Sequence, residues 1–404
     1  MHIAVVSNTA WYLFNFRLNL MLALKAAGHT VVAMAGADVY AERIRAAGIA
    51  FEAVPISGSG VNPVREAWSV WRLRLLLKRQ AAELVLSYTT KGNLYTGLAC
   101  RSLGLPFVPN VSGLGRLFIR RSPATQVAQA IYRLTFRHAP HVFFQNAEDL
   151  SVFLRAALVQ RAQAERLPGS GVDLKRFQPV PLADRPLDAP VFLLVARMLW
   201  DKGVGEYIAA ARAIRAQIPG ATFRLLGAAD SSNPSAIARR QIDAWVREGV
   251  VSYTGPTDDV RPHLADADCV VLPSYREGVP RVLLEAAAMA RPVITSAAPG
   301  CRDAVLHGRT GFMCAAREVP DLAVQMRRFV ALSAEERLAM GQAGRSFMEA
   351  NFSEQLVINR YLATVAVVAA GMRGGIGATA GARPGAVVQG ASDAPALDAP
   401  SSRR

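Results

Sequence analysis

Short apolar, β-rich runs alternate with helix-patterned segments along the chain, and after a proline-rich break the alternation starts again. HIAVVS (2–7), TVVAMA (30–35), ELVLSY (83–88), PFVPNV (106–111) and HVFFQN (141–146) read as strands buried on both faces. Segments 17–27, 63–80, 93–104, 124–138 and 147–157 read as helices. Strands of this kind separated by helices predict a parallel sheet covered on both sides. Ligands of such sheets bind beyond the carboxyl ends of the strands. The segment 8–17, with Trp11, Tyr12, Phe14 and Phe16, is therefore expected as an aromatic loop at a cleft.

QPVPLADRPLDAP (178–190) lacks periodicity and reads as a linker. A second series follows: VFLLVA (191–196), ATFRLLG (221–227), VVSYTG (250–255), DCVVLP (268–273), RPVITS (291–296) and GFMC (311–314). The expected organisation is one Rossmann-like domain over 1–178, a linker over 179–190, a second over 191–352 and a helix over 353–370. The remainder, 371–404, is rich in Gly, Ala and Pro and is expected to be disordered.

At 404 residues, 51% hydrophobic and 19% charged, the chain suits two soluble cores. Its N-terminus has neither the basic region nor the cleavage site of a signal peptide, which predicts a cytoplasmic protein. Cys100, Cys269, Cys301 and Cys314 form no CxxC pair and are expected to be reduced. The net charge of +15 is uneven: residues 1–180 carry 21 Lys+Arg against 9 Asp+Glu, while 181–370 carry 21 against 20. The first half should therefore face a polyanion or an anionic membrane. No nucleic-acid motif accompanies the charge, so nucleic acid is not expected as a partner.

The sharpest chemical signal is PSYREGVPRVLLEAAAMARPVITSAAP (273–299), in which seven residues separate Glu277 from Glu285. Glu277 should stand at the carboxyl end of the strand that ends near Leu272. Pro280 fits the first turn of the following helix. The N–H groups of Gly278, Val279 and Arg281 would then face an anion at that helix's N-terminus. Glu285 sits among apolar residues, a costly place for a carboxylate without partners. Arg197 and Lys202, around the turn RMLWDKGV, form a candidate diphosphate clamp. Such cations can stabilise a departing diphosphate without a metal.

Other signals carry less. Asp266 and Asp268 spell DxD but fall at a strand's amino end, and read as a helix-to-strand connection. The GxG pairs Gly58/Gly60 and Gly113/Gly115 read as turns. Segment 63–79 places Val64, Trp68, Trp71 and Leu75 at helical spacing with Arg72, Arg74, Lys78 and Arg79 nearby. It is either a helix packed on the sheet or one lying on a membrane surface. GRLFIRRS (115–122), with Arg116, Arg120 and Arg121 around an apolar tip, is a second lipid-surface candidate or a partly buried loop. The six histidines show no metal-ligand spacing with Cys or one another beyond the His138/His141 pair at a helix-to-strand junction, so no metal is expected.

These residues resemble family-4 retaining glycosyltransferases of the GT-B fold, in which two Rossmann-like domains face each other across a cleft. EGVPRVLLE looks like that family's E-x7-E motif, and VARMLWDKG, LPGSGVDLKRFQP, NVSGLG and VFFQN are further matches. WYLFNFRLNLMLALKAAGH, YTTKGNLYTGLA and PGCRD resemble the subgroup that builds bacterial glycans on undecaprenyl diphosphate, including N-acetylgalactosaminyltransferases. The resemblance implies that Glu277 binds donor-sugar hydroxyls and Glu285 the ribose. Gly278 and Val279 would offer N–H groups, Arg197 and Lys202 would hold the diphosphate, and Gly227 and Pro280 would complete the donor side. Asn15, Arg17, Lys91, Asn93, Gly113 and Gly115 would face the acceptor. Departures include the lack of a histidine in 112–115, NTAWYLFN in place of a twin-glycine loop, Ala290 for a usual glycine and Ala297 for a common aspartate.

The expected activity is metal-independent transfer of a hexose or N-acetylhexosamine from a UDP-sugar to a polyprenyl-diphosphate-linked saccharide at the cytoplasmic membrane face. A transferase for a soluble acceptor, a silent sugar-nucleotide-binding protein and an epimerase on the same fold are the alternatives.

Overall fold

The computed structural model describes residues 1–56, 62–114, 123–229 and 233–374. The pairs Gly58/Gly60 and the segment 115–122, including Gly115, lie outside the described residues, as does the tail from residue 375.

The first half runs β1 (His2–Thr9), α1 (Ala10–Ala26), β2 (Thr30–Gly36), α2 (Tyr40–Ala46), β3 (Ala50–Ala53), α3 (Pro63–Arg79) and β4 (Leu84–Tyr88). It continues with α4 (Thr90–Leu103), β5 (Phe107–Val111), α5 (Pro123–Phe136), β6 (Val142–Phe144), α6 (Ala147–Arg155) and β7 (Ala164–Arg166). Its strands pair in the order β3-β2-β1-β4-β5-β6-β7, and every pairing is parallel. The short elements α2, β3 and β7 carry too little apolar pattern to be read from sequence.

The second half runs β8 (Val191–Val195), α7 (Val204–Arg215), β9 (Thr222–Leu226), α8 (Arg239–Arg247), β10 (Ser252–Tyr253), α9 (Arg261–Ala265) and β11 (Cys269–Leu272). Then come α10 (Arg281–Ala288), β12 (Val293–Ser296), β13 (Gly311–Cys314), α11 (Val319–Val330), α12 (Ala334–Asn351) and α13 (Glu354–Gly374). The strand order is β10-β9-β8-β11-β12-β13, again parallel. In each sheet the order reverses beside the first strand, between β1 and β4 and between β8 and β11. Diverging connections open a crevice at such a reversal.

The aromatic segment 8–17 is not a loop. Thr9 caps α1, its hydroxyl accepting from the Tyr12 N–H at 3.2 Å, and the helix starts at Ala10. Tyr12 and Phe16 then stack one turn apart, with ring centroids at 4.9 Å. The proline-rich 179–190 run is clamped onto the second half. Arg291 donates to the carbonyls of Val180 (3.0 Å) and Pro181 (2.7 Å), and Arg337 to that of Leu187 (2.8 Å). Burial pushes the Arg291 guanidinium down to about 10.

The chain crosses back at residue 353. Val172 N–H donates to Phe352 O and Glu354 N–H to Val172 O, lacing the outgoing and returning crossings together. Helix α13 then packs on the first domain, burying Val357, Ile358, Tyr361, Val365 and Val368 among residues of α1, β1 and β4. Residues 371–374, expected to be disordered, belong to this helix. By length and composition Glu354–Arg373 could cross a membrane, but these five side chains fill a protein core. Tyr361 is fully buried and its hydroxyl accepts from Asn110 Nδ2 at 2.9 Å. Tyr361→Ala is expected to destabilise the first domain by about 3–5 kcal/mol, read as an earlier first transition in urea with the second domain's transition unmoved.

Candidate functional site

Glu277 and Lys202 are far apart in sequence, yet topology makes them neighbours. Lys202 lies in the short turn after β8 and Glu277 in the loop after β11, the two strands that flank the order reversal. Their side chains form an ion pair, and both are largely shielded from water. Arg197 follows β8 directly at the same sheet edge and is exposed. Gly227 ends β9 at φ +137°, and a Cβ there would stand 1.9 Å from Ala196 O, so only glycine fits.

The Glu277 loop is held tightly. Glu277 N–H donates to Pro299 O at 3.0 Å, and Tyr275 N–H to Asp201 O at 3.0 Å. Tyr275 hydroxyl donates to Glu206 at 2.5 Å. Gly278 touches the first domain: a Cβ would come within 2.4 Å of Ser112 O and 2.6 Å of Gln145 Oε1. Pro280 is the N-cap of α10 and not its first turn, since its ψ of 114° keeps it extended. Glu285, buried one turn into α10, forms an ion pair with Arg281 at 2.8 Å. Burial pushes its carboxyl above the ordinary 4.5, against the pull of Arg281 and Arg176. Arg281 also lies over the Phe16 ring of α1, 5.0 Å from its centroid.

Two of the acceptor-side candidates, Arg17 and Asn93, are buried. Arg17 is only 1% exposed; it stacks on Tyr88 at 4.3 Å and donates to the Tyr12 hydroxyl at 3.3 Å. Asn93 is buried too, accepting from Ser87 Oγ and donating to Asn110 O, both at 2.8 Å. Both therefore join α1, α4 and the sheet and do not line a surface. Asn15 is half-buried, its amide donating to Trp11 O at 2.9 Å, and Lys91 pairs with Glu66 at 2.9 Å. Gly113 lies against the donor loop: a Cβ there would be 3.4 Å from Gly278 N.

Asp266 and Asp268 are engaged by arginines. Arg185 reaches both, at 2.6 and 3.3 Å, and Arg224 pairs with Asp266. Asp268 also accepts from Val191 N–H at 2.8 Å, fixing the start of β8. Among the described residues no group of three or more His, Cys, Asp or Glu is arranged to hold a metal. All four cysteines are buried as thiols. On α3 the buried residues are Ser69, Leu73, Leu76 and Leu77, while Trp68 and Trp71 remain 52% exposed.

Sequence reasoning missed the contacts that join the two halves. Asn146, Asp149 and Arg276 meet across the cleft, and Tyr40 and Arg43 of α2 reach Asp258 at 2.8 and 2.7 Å. An N-x-x-D pattern behind a strand was the available signal for Asn146 as a helix cap, but nothing local indicated its distant partners.

Two Rossmann-like α/β domains, each with a parallel sheet whose strand order reverses beside its first strand, make up the GT-B fold. The chain carries two glycosyltransferase domains: residues 2–146 match the family described as "Glycosyl transferase 4-like", and 189–331 match "Glycosyl transferases group 1". A Campylobacter jejuni relative, N,N'-diacetylbacillosaminyl-diphospho-undecaprenol alpha-1,3-N-acetylgalactosaminyltransferase, is 26% identical over 90% of this chain and 97% of its own length. Anabaena HepE in complex with UDP and glucose shares the fold at a TM-score of 0.73 and 18% identity, covering 91% of this chain and 100% of that one. Sucrose-phosphate synthase from Thermosynechococcus elongatus does so at 0.74 and 20%, covering 92% and 100%.

Proposed function

We propose that this enzyme moves a hexose or N-acetylhexosamine from a UDP-sugar, with retention, onto an undecaprenyl-diphosphate-linked saccharide in glycan or surface-polysaccharide assembly. The observation that carries the reading is the meeting of Lys202 and Glu277 at the β8/β11 reversal, with Arg197 on the same edge. In the proposed reaction Arg197 and Lys202 neutralise the departing diphosphate, which suits a metal-independent transfer. Glu277 exchanges Lys202 for sugar hydroxyls, and Glu285 accepts from the ribose. The bond from the anomeric carbon to the diphosphate breaks as the acceptor oxygen bonds on the same face, and the acceptor proton passes to a diphosphate oxygen. The activity named for the Campylobacter relative supports the lipid-linked acceptor.

Arg197→Ala and Glu277→Gln are each expected to lower transfer by about a hundred- to a thousandfold while the protein still folds, with Glu277→Gln melting earlier because Lys202 loses its partner. The assay is a UDP-sugar panel against bacterial lipid extract, run with and without EDTA, with mass measurement of the extended lipid. Near-normal turnover in either variant would overturn the site. Extension of a water-soluble acceptor alone would overturn the lipid assignment.

Glu285 supplies a pH test. Its raised carboxyl takes up a proton above pH 4.5, and a protonated carboxyl is a poorer acceptor for ribose hydroxyls. UDP affinity is expected to weaken on acidification from pH 7.5 towards 5, measured by calorimetry, and Glu285→Gln to flatten that dependence.

The same reading places the enzyme on the inner face of the cell membrane. Val64, Trp68 and Trp71 project from α3 beside Arg65, Arg72 and Lys78, a mixture of aromatic and cationic groups suited to an anionic interface. Trp68→Ala/Trp71→Ala is expected to cut co-sedimentation with phosphatidylglycerol vesicles by about tenfold while leaving folding intact; unchanged binding would remove α3 from the docking surface.

A further inference from the structure

Asn146 stands at the carboxyl end of β6, fully buried, and caps α6 by accepting from Asp149 N–H at 2.8 Å. Capping occupies its carbonyl oxygen only. Its amide nitrogen donates to Asp149 Oδ2 at 3.0 Å and, across the cleft, to the carbonyls of Glu277 at 3.2 Å and Gly278 at 3.1 Å. Asp149 in turn pairs with Arg276, the residue before Glu277, and is itself completely buried. One side-chain cluster of the first domain thus holds three consecutive residues of the second.

Peptide geometry gives this contact a direction. In a planar trans peptide the C=O and N–H groups point opposite ways. Fixing the carbonyls of Glu277 and Gly278 towards Asn146 turns the N–H groups of Gly278 and Val279 away from it. Gly113 of the first domain lies beside the Gly278 nitrogen, where a Cβ would be in van der Waals contact at 3.4 Å.

We infer that Asn146 is a positioning residue: when the domains meet, its amide sets the Glu277–Gly278 peptide planes so that the donor loop presents its carboxylate and N–H groups together. Arg197, Lys202 and Glu285 all belong to the second domain, so nucleoside diphosphate binding does not need Asn146. Orientation of the sugar does. The inference rests on the donor-site reading given above, and is tested against it.

Asn146→Ser keeps a capping oxygen but is too short to bridge to the loop. Losing two inter-domain hydrogen bonds is expected to lower kcat by about ten- to a hundredfold, with UDP affinity by calorimetry within about threefold of wild type. The Tyr275 and Glu277 amides, which donate to Asp201 and Pro299, should exchange faster with deuterium. Arg276→Ala attacks the same latch from the other domain, and its effect should be less than additive with Asn146→Ser. Unchanged exchange and kcat in Asn146→Ser, while Glu277→Gln abolishes transfer, would overturn the positioning role and leave the donor site standing. An equal loss of UDP binding would overturn it too. Normal transfer in Glu277→Gln would instead remove the reading on which the inference rests.

Discussion

The Lys202–Glu277 ion pair is the interaction on which the rest of the structure converges. A shielded ammonium and a shielded carboxylate each lose hydration, and each is tolerable because the other is there. In the proposed reaction the donor takes both partners at once, phosphate oxygens meeting the cation and sugar hydroxyls the anion. Binding is then an exchange of partners, and neither charge is left buried alone. That exchange requires the two side chains to share one sheet edge, which the β8/β11 order reversal supplies, and it requires a loop whose backbone does not wander. Pro299, Asp201 and the Asn146–Asp149 pair supply that second condition.

Arginine and lysine divide the work. Arg291 and Arg337 donate to backbone carbonyls of the 179–190 segment, and Arg345 to that of Phe177 just before it. A guanidinium that stays charged and offers several coplanar donors suits such permanent clamping. Lys202 carries a compact charge on a flexible stem, which suits a partner that changes during turnover. Asp149 shows the cost of the inter-domain latch: burial pushes its carboxyl up, even though Arg276 and Asn146 pull the other way.

Much of the fold was legible because strands buried on both faces are continuous apolar runs, and VFLLVA or GFMC leave little alternative. The placement of Arg197, Lys202 and Glu277 was legible from the apolar runs that precede them, since a residue just past such a run stands at the sheet's carboxyl edge. Reading failed where the decisive neighbour is distant. Segment 8–17 looked like a loop because its aromatics and asparagines lack a helix's apolar stripe, and the Thr9 cap outweighed that pattern. Arg17 and Asn93 were placed on the acceptor side by the family resemblance alone, and both are buried inside the first domain. Tyr361, more than 250 residues beyond Asn93, helps to seal that region, and no local pattern announces its return.

The chain passes between its domains twice, near residues 172 and 353, and hydrogen bonds tie those passages side by side. A single tether would let two bodies twist as well as bend. A second passage laced to the first removes much of that torsional freedom, which helps to keep Asn146 facing the Glu277 and Gly278 carbonyls.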